Sequence, residues 1–405
     1  MTGCLVVGPE TPTASEEVYL VWAGTPTKAT LRVEIANAHG AHDVLLNGHL
    51  VGQVEPGLGG EDCDTDPVPV QWLLDDPGWV LSGSNRLEIT NSANAVDTWY
   101  AVRGHFVLEG DITAAALLDS TFDSSYDGSS QQAVLQLPLG YDHGSLPLVV
   151  GLHGWGGERW RALEYWGLAA NQQGWLFAAP EMHGREPHDP PGGRALASLA
   201  SQYDVMDTVA YVNANYDVDS DRIYLVGKSM GGMIAATTAA RYPDRFAAAV
   251  DVAGITDLTA WHVEVPLWLE QSIAAECGGT PEEVPFEYER RSSLEMAGNL
   301  LPLPLALVHG EADITVFPHH AQDLYDAVQQ RGGDLVELYW HEGGHNAGEY
   351  DPDWQMAWLA NHVRSDVAPT RLDIRSDEEK PYFWLNVEYE RGNQQHYLPL
   401  VLGSG

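Results

Sequence analysis

Basic residues are scarce in this sequence. The chain of 405 residues has 20 lysines and arginines against 58 aspartates and glutamates, and its formal net charge is −38 at pH 7. Only three lysines occur: Lys28, Lys228 and Lys380. A surface of this charge repels nucleic acids and anionic membranes, so we exclude both as partners. The acidic residues form no local cluster suited to a cationic ligand, and we interpret their excess as an adaptation for solubility or high salt.

Long apolar runs and cysteines are also lacking. No stretch of about 18 apolar residues occurs, so no membrane-spanning helix is expected, and no signal peptide is visible. The three cysteines, Cys4, Cys63 and Cys277, are too few for a disulfide framework or a cysteine metal cluster. A disulfide between Cys4 and Cys63 is one of the remaining alternatives. We expect a secreted protein, on the basis of the domain architecture described below.

Helical periodicity is absent from residues 1–112. Short alternating runs such as Thr30–Ile35 and Arg86–Thr90 are separated by Gly, Asn, Asp and Pro, a pattern typical of strands and turns. The spacing predicts a β-sandwich of the jelly-roll type. Three tryptophans could form a sugar-stacking face, but we favour core packing as the commoner explanation: Trp72, Trp79 and Trp99.

Two acidic segments resemble calcium loops. Glu61–Asp66 could hold a structural Ca²⁺ through its carboxylates. Asp217–Asp221 lacks the glycine and the terminal glutamate of an EF-hand and comes directly before a strand, so we interpret it as a turn. We expect no other cofactor and no catalytic metal.

From about residue 113, strands and helices alternate. This pattern predicts an α/β fold with a largely parallel sheet covered on both faces. We assign residues 113–366 to this catalytic domain, with an insertion at about 257–299, and residues 367–405 to a C-terminal β extension. The predicted strands are Ala116–Ser120, Ala133–Leu137, Leu148–Leu152, Trp175–Ala179, Ile223–Val226, Ala247–Val252, Leu305–His309, Leu335–Tyr339, Arg371–Ile374 and Tyr382–Val387. The predicted helices are Glu158–Gln172, Gln202–Tyr216, Met230–Tyr242, His319–Gln330 and Asp353–Ser365.

A serine-centred turn occurs in residues 222–242. The apolar run Ile223–Val226 leads into Gly-Lys-Ser-Met-Gly-Gly, and a segment of helical character follows. This is G-x-S-x-G in the strand–turn–helix context that gives the motif meaning. The tight turn needs its glycines, and the Met230 N–H lies at a helix N-terminus, where negative charge is favoured. Ser229 is therefore the candidate nucleophile, with Met230 N–H as an oxyanion-hole donor.

Partners for Ser229 follow two later strands. Asp313 comes after Leu305–His309, and His345 lies on a glycine-rich loop after Leu335–Tyr339. A serine hydroxyl is a weak nucleophile until an imidazole takes its proton, and an acid must orient that imidazole. The chain order Ser, Asp, His, each after a strand, is that of α/β-hydrolases.

Other residues compete for these two roles. The rival bases are His309, His319, His320 and His341, and the rival acid is Asp257. We prefer His345 because His309 belongs to the acid-bearing strand and His341 lies closer to its own strand. Lys228 suggests a Ser–Lys pair, but that chemistry needs Ser-x-x-Lys spacing.

A second oxyanion donor is predicted in the loop His153–Gly157, which follows a strand. We choose the backbone N–H of Trp155, and we expect His153 to be structural. The side chains of Trp155 and Trp261 are candidates for an aromatic or hydrophobic acyl subsite, and packing is an equally open explanation for each.

Residues 130–365 resemble the α/β-hydrolase superfamily, specifically its prolyl-oligopeptidase-like branch and its polyhydroxybutyrate-depolymerase or feruloyl-esterase-like branch. The resemblance is carried by HGWGG, GKSMGG, RYPDRFAAAVDVAGITDL, HGEAD and GGH. GKSMGG and the aromatic residue in HGWGG are also similar to cutinase-like polyester hydrolases. The segments Leu31–Ile35, Leu46–His49 and Leu81–Ile89 resemble galactose-binding-like modules, which implies a glycan as partner or else a structural role.

The resemblance implies a secreted carboxylic-ester hydrolase that works through an acyl-enzyme. The implied substrates are feruloyl or acetyl esters of plant polysaccharides, or an aromatic polyester. A serine peptidase for short peptides is the alternative, with Arg290–Arg291 or Glu158 as terminal anchors, although no repeat-built propeller precedes the hydrolase segment. A catalytically silent binding module is the third interpretation.

Overall fold

The computed structural model describes residues 5–7, 13–36, 38, 40–55, 68–90, 99–185, 193–346, 351–388 and 398–402. The chain divides into two compact units, Met1–Ala115 and Ala116–Gly405. Within the described residues, no helix combines the length and the apolar character needed to cross a membrane.

The N-terminal unit consists of antiparallel strands. They are β1 Leu5–Val7, β2 Thr13–Leu20, β3 Trp22–Ala36, β4 His42–Leu46, β5 His49–Val54, β6 Val68–Leu73, β7 Gly83–Thr90 and β8 Trp99–Ala114. They form two four-stranded sheets, with the orders β1-β8-β3-β6 and β2-β7-β4-β5. The all-β character expected of this region is confirmed.

One hydrophobic core draws on both sheets of this unit. Leu31, Val33 and Ile35 of β3 are at most 1 % exposed, because alternate side chains of a strand lie on the same face. Side chains of β4 and β7 from the other sheet join them. Trp72 and Trp79 pack against this core, as the core interpretation of these tryptophans expects.

Three sequence predictions concern residues outside the described part of the chain: the calcium loop Glu61–Asp66, the Cys4–Cys63 disulfide and the side chain of Trp99. Cys277 is a buried free thiol. The turn predicted at Asp217–Asp221 was wrong, because strand β13 already begins at Val218, which pairs with Leu146 of β11.

The second unit is built on an eight-stranded sheet. Its strands are β9 Ala116–Asp123, β10 Ser130–Leu137, β11 Leu146–Leu152, β12 Leu176–Pro180, β13 Val218–Lys228, β14 Ala248–Val252, β15 Leu305–Gly310 and β16 Val336–His341. The order is β16-β15-β14-β13-β11-β12-β10-β9. Strands β11 to β16 are parallel, and β9 and β10 are antiparallel at one edge. The predicted α/β-hydrolase fold is confirmed.

Helices cover this sheet and supply its long insertion. They are α1 Arg159–Gln172, α2 Leu199–Asn215, α3 Met230–Arg241, α4 Leu258–Glu264, α5 Leu267–Cys277, α6 Pro285–Glu289, α7 His319–Gln330 and α8 Pro352–Leu359. Strands β12 and β14 are buried at every position, as expected of strands covered on both faces. Helices α4, α5 and α6 and a 3₁₀ helix at Ser293–Leu300 lie between β14 and β15.

Two predicted elements near the C-terminal end of the chain differ from the structure. Helix α8 ends at Leu359 rather than at residue 365, because the following chain bonds to another element: the Arg364 N–H donates to Asp221 O at 2.8 Å. The predicted strand Tyr382–Val387 is a hairpin of two short strands, with Phe383 in the left-handed region at φ +52°.

The C-terminal extension belongs to the second unit and packs on it. Its strands are β17 Leu372–Ser376, β18 Lys380–Tyr382, β19 Leu385–Val387 and β20 Leu398–Leu402. Asp377, which follows β17, accepts hydrogen bonds from Arg241 and Arg290. The Arg241 and Asp377 side chains are 1 % and 2 % exposed. A buried ion pair of this kind depends on both partners.

We expect Asp377→Ala to lower the free energy of unfolding of the second unit by about 3 kcal/mol, because it leaves the Arg241 guanidinium buried without its main partner. Urea unfolding measures this loss. The control is Asp221→Ala, which removes an exposed ion pair with Arg364 and should cost less than about 1 kcal/mol. Equal losses in the two variants would contradict the prediction.

Candidate active site

Ser229 occupies a strained turn between β13 and α3. Its backbone has φ +57° and ψ −121°, a conformation that residues other than glycine rarely adopt. A Cβ on Gly227 would lie 2.1 Å from the Gly231 carbonyl oxygen, and a Cβ on Gly231 would lie 2.0 Å from Leu152 O. The Ser229 N–H donates to Val252 O at 2.8 Å. Close backbone packing that only glycine permits therefore holds the turn.

The structure brings Ser229, Asp313 and His345 together beyond the carboxyl ends of their strands. His345 Nδ1 lies 2.7 Å from Asp313 Oδ2, and His345 Nε2 lies 2.9 Å from Ser229 Oγ. Because a carboxylate only accepts, Nδ1 donates to Asp313 and the Nε2 lone pair accepts from the serine hydroxyl. His345 is thus placed to take the serine proton.

Asp313 is buried and closely hydrogen-bonded. Its Oδ1 accepts from the N–H groups of Thr315 and Val316 at 2.8 and 3.0 Å. Burial opposes ionisation, but hydrogen bonds from His309 and His345 outweigh it and hold the pKa of Asp313 well below its usual range. The carboxylate therefore stays ionised at neutral pH and can stabilise an imidazolium at His345.

The rival base and acid candidates have other partners. His309 is buried, and its Nε2 lies 2.9 Å from Val316 O and 3.4 Å from Asp313 Oδ2, the oxygen that His345 also contacts. His341 Nδ1 accepts a backbone N–H of its own loop at 3.2 Å. The Asp257 carboxylate caps the N-terminus of α4. None of these three hydrogen-bonds to Ser229 in the described structure.

Two backbone N–H groups are available beside the nucleophile. Met230 is the first residue of α3, where an N–H has no partner within the helix. In the loop after β11, the N–H groups of Gly156 and Gly157 donate to carbonyls at 2.7 and 3.0 Å. No hydrogen bond of the described residues uses the Trp155 N–H. His153 anchors this loop, with its buried Nε2 2.8 Å from a carbonyl after β12.

A cleft of about 640 Å³ opens in front of Ser229. Its lining comes from the loop after β11, from α1, from the segment between β14 and β15, and from the loops that carry Asp313 and His345. The apolar part is formed by Trp155, Met230, Ile255, Trp261, Val265, Pro266, Trp268, Leu269 and Ile314. The cleft thus combines an apolar, largely aromatic lining with polar groups near the nucleophile, as small-molecule sites usually do.

Both predicted substrate-binding tryptophans line this cleft. The rings of Trp155 and Trp261 meet edge to face, with centroids 6.3 Å apart. The Trp261 indole N–H donates to Thr315 O at 2.9 Å, which ties this side chain to the loop that carries the acid. Trp261 is almost fully buried, whereas Trp155 is half-buried. Trp155 therefore offers more ring surface to a ligand.

Sequence reasoning missed a second wall of the cleft. Arg161, Tyr165, Lys228 and Asn346 line it, and we call this set the basic wall. Arg161 and Tyr165 are four residues apart on α1 and so share one face of the helix. That spacing, and the positions of Lys228 and Asn346 directly beside Ser229 and His345, were the available signals.

The predicted anchors for peptide termini lie elsewhere. Arg290 pairs with Asp377 in the C-terminal extension. The Arg291 guanidinium is buried and pairs with Glu276 at 3.2 Å. Glu158 occupies the N-cap of α1, and none of the three predicted anchors lines the cleft. Their assignment as anchors was wrong, because carboxylates of other segments hold the two arginines and none of the three residues reaches the cleft.

One group in the described residues has the composition of a metal site. The ligand atoms of Glu264, His319 and His320 lie within 4.8 Å of one another. His320 Nδ1 accepts from the Asp257 N–H at 3.4 Å, so its Nε2 carries the proton that Glu264 accepts. His319 bridges Glu264 and Asp323 at 2.7 and 3.0 Å. These hydrogen bonds link the three side chains and Asp323 into one group.

The fold and the hydrogen-bonded Ser229–His345–Asp313 set define a serine hydrolase with the α/β-hydrolase fold. Residues 193–365 match the prolyl oligopeptidase family. The catalytic part of the chain is thus similar to that family.

Three relatives illustrate the similarity. The chain is 28 % identical over 160 residues to an uncharacterised peptidase of Bacillus subtilis, covering 39 % of this chain and 60 % of the relative. It is 27 % identical over 183 residues to feruloyl esterase B of Neurospora crassa, covering 44 % and 62 %. The acylaminoacyl peptidase of Pyrococcus horikoshii superposes with a TM-score of 0.50 at 16 % identity, covering 64 % and 43 %. The chain spans about three fifths of the length of the two curated relatives.

A buried carboxyl group lies behind the Ser229 turn. Asp251 of β14 is 2 % exposed, and its Oδ1 would lie 2.2 Å from a Cβ on Gly232 and 2.1 Å from one on Gly254. Burial raises the pKa of Asp251 to about 7, although His309 and the Gly254 N–H favour the carboxylate.

This raised pKa makes stability depend on pH. Folded Asp251 holds its proton up to about pH 7, whereas the unfolded residue loses it near its ordinary pKa of 3.8. Its stabilising contribution is therefore complete below about pH 4 and is lost as the pH rises to about 7. We expect the melting temperature of Asp251→Asn, which does not ionise, to rise relative to the wild type between these pH values. Scanning fluorimetry measures the difference, and a constant difference across the range would refute this expectation.

Proposed function

We propose that this protein is a carboxylic-ester hydrolase that works through an acyl-enzyme. Ser229 Oγ attacks the ester carbonyl while its proton passes to His345 Nε2. The Met230 and Trp155 N–H groups donate hydrogen bonds to the carbonyl oxygen and stabilise the negative charge that develops on it. His345 then donates the proton to the leaving alcohol. It next takes a proton from water as that water attacks the acyl carbonyl, and it gives this proton to Ser229 Oγ as the bond to the acyl carbon breaks and the carboxylic acid leaves.

The observation that carries this proposal is the continuous hydrogen-bonded chain from Ser229 through His345 to Asp313, with 2.9 and 2.7 Å between successive partners. It opens into a cleft with an aromatic wall. Trp155 and Trp261 suit an aromatic or hydrophobic acyl group such as feruloyl, and the feruloyl esterase among the relatives supports that choice. Acetyl groups on plant polysaccharides and aromatic polyesters are further members of the proposed class.

A serine peptidase for short peptides is the second candidate. The bacterial and archaeal relatives with peptidase names favour it. In the cleft, Arg161 and Glu264 could hold the charged ends of a peptide. Esters and anilides with the same acyl group separate the two candidates, because the two leaving groups make different demands on the acid step.

Secretion and a glycan partner for the N-terminal unit remain predictions. Both rest on the resemblance of residues 1–112 to galactose-binding-like modules that accompany glycan-active enzymes.

We expect Ser229→Ala to lower kcat on 4-nitrophenyl acetate by about 10⁴-fold or more, because the nucleophile is removed. Labelling by a fluorophosphonate probe should be lost in the same variant, whereas circular dichroism should match the wild type. The wild type should cleave 4-nitrophenyl esters faster than the corresponding 4-nitroanilides. Faster anilide turnover would favour the peptidase, and retention of more than about a tenth of the activity would remove Ser229 from this role.

The Trp155 side chain can be tested apart from its backbone N–H. We expect Trp155→Leu to lower the ratio of kcat/KM for methyl ferulate to that for methyl acetate by about tenfold, because the ring contact with an aromatic acyl group is lost. Trp384→Leu is the matched control, since Trp384 is exposed and lies outside the cleft. An unchanged ratio in Trp155→Leu would contradict the assignment of an aromatic acyl subsite.

A further inference from the structure

Lys228 places a cation inside the cleft, directly beside the nucleophile. It ends β13 next to Ser229 and lines the cleft. The residue is only 7 % exposed. Its Nζ lies 3.4 Å from Asn346 Oδ1 and 5.7 Å from the centroid of the Tyr165 ring. The chain has a net charge of −38 and only three lysines. A role in keeping the surface soluble does not explain why one of them is buried in the cleft.

Burial strengthens the attraction of this ammonium group for an anion. Burial lowers the pKa of Lys228, while the charge of Asp313 favours the protonated form. An ammonium group removed from water interacts more strongly with an opposite charge than one on the surface does. Arg161, on the same basic wall, adds a second cation at the more exposed end, where it also pairs with Glu164 at 2.8 Å.

One carboxylate, that of Glu264, also lines the cleft, and it already has partners of its own. Its two oxygens lie 2.7 Å from His319 Nε2 and 3.2 Å from His320 Nε2. Both oxygens are therefore engaged in hydrogen bonds within this group.

We assign the basic wall to the side of the leaving group. The leaving oxygen must lie within reach of His345 Nε2, because His345 protonates it. Asn346 directly follows His345 in the chain, and Lys228 Nζ contacts Asn346. The aromatic pair Trp155 and Trp261 belongs to the other elements that line the cleft, which we assign to the acyl group.

We infer that Lys228, assisted by Arg161, binds a carboxylate carried by the leaving alcohol of the ester. This inference rests on the proposed esterase function and narrows its substrates to esters whose alcohol part is an acid, such as a sugar acid or a hydroxybenzoate. The scissile bond and the acyl-enzyme steps stay as described above. The inference adds only the residues that bind the leaving alcohol.

Two esters with one acyl group test the inference: 4-acetoxybenzoic acid, which has a carboxylate on its leaving group, and its neutral methyl ester. The quantity measured is the ratio of kcat/KM for the acid to kcat/KM for the methyl ester. We expect Lys228→Met to lower this ratio at least tenfold, because the variant keeps the side-chain length and loses the charge. Lys228→Arg should hold it within about threefold of the wild type, since the cation is retained.

The matched control is Lys28→Met, which removes an exposed lysine that pairs with Glu109 in the N-terminal unit. The ratio should not change in this variant. Added salt should lower the ratio in the wild type and leave it unchanged in Lys228→Met, because screening acts on the charge interaction.

The outcomes separate this inference from the proposed function. If Lys228→Met has the wild-type ratio within about twofold while Ser229 is still labelled by fluorophosphonate, the carboxylate subsite is wrong and the esterase stands. If the wild type cleaves neither ester, both proposals fail. If N-acetylphenylalanylglycine is cleaved faster than the carboxylated ester, and this cleavage depends on Lys228, the carboxylate belongs to a peptide C-terminus and the alcohol assignment is overturned.

Discussion

The unusual backbone of Ser229 depends on how closely the chain around it is packed. Gly231 approaches the Leu152 carbonyl so closely that a Cβ there would lie 2.0 Å from the oxygen. Strain at a residue such as Ser229, with φ +57°, is on the order of 1–3 kcal/mol, and it persists only because the neighbouring strands leave no relaxed alternative. The same packing presents the hydroxyl to His345 and places the Met230 N–H beside it. The geometry of the site is thus a consequence of strand packing.

Positive charge is scarce in this chain, and two pairs of basic residues occupy distinct places in the second unit. Lys228 and Arg161 line the cleft, whereas Arg241 and Arg290 hold Asp377 of the C-terminal extension. The first pair gives an acidic protein a cationic surface next to its nucleophile. The second pair secures residues that are too few to bury a core of their own. The overall charge of −38 therefore says little about the electrostatics of the site.

The central strands and the serine turn could be predicted because their signals are local. Continuous apolar runs such as Leu148–Leu152 and Leu305–His309 are typical of strands covered on both faces, and glycines around a serine between a strand and a helix indicate a tight turn. The errors arose where contacts with residues distant in the sequence determine the structure. Helix α8 stops early because the chain after it hydrogen-bonds to β13, from the Arg364 N–H to Asp221 O. Arg290 and Arg291 were predicted to be substrate anchors, yet Asp377 and Glu276 hold them away from the cleft.

The sequence by itself determined the class of fold, the order of the strands along the chain and the residue types of the candidate nucleophile, base and acid. These features can be predicted from hydrophobic periodicity, turn residues and motif spacing. Such signals depend only on residues that are close together in the sequence. Tertiary structure decided which histidine reaches Ser229 and which loop N–H stays without a partner. It also decided that Lys228 and Arg161 share a wall with Asn346. The physical reason is that these contacts join residues far apart in the chain, 116 positions for Ser229 and His345 and 118 for Lys228 and Asn346, and only the packing of the sheet and its helices sets the distances between them.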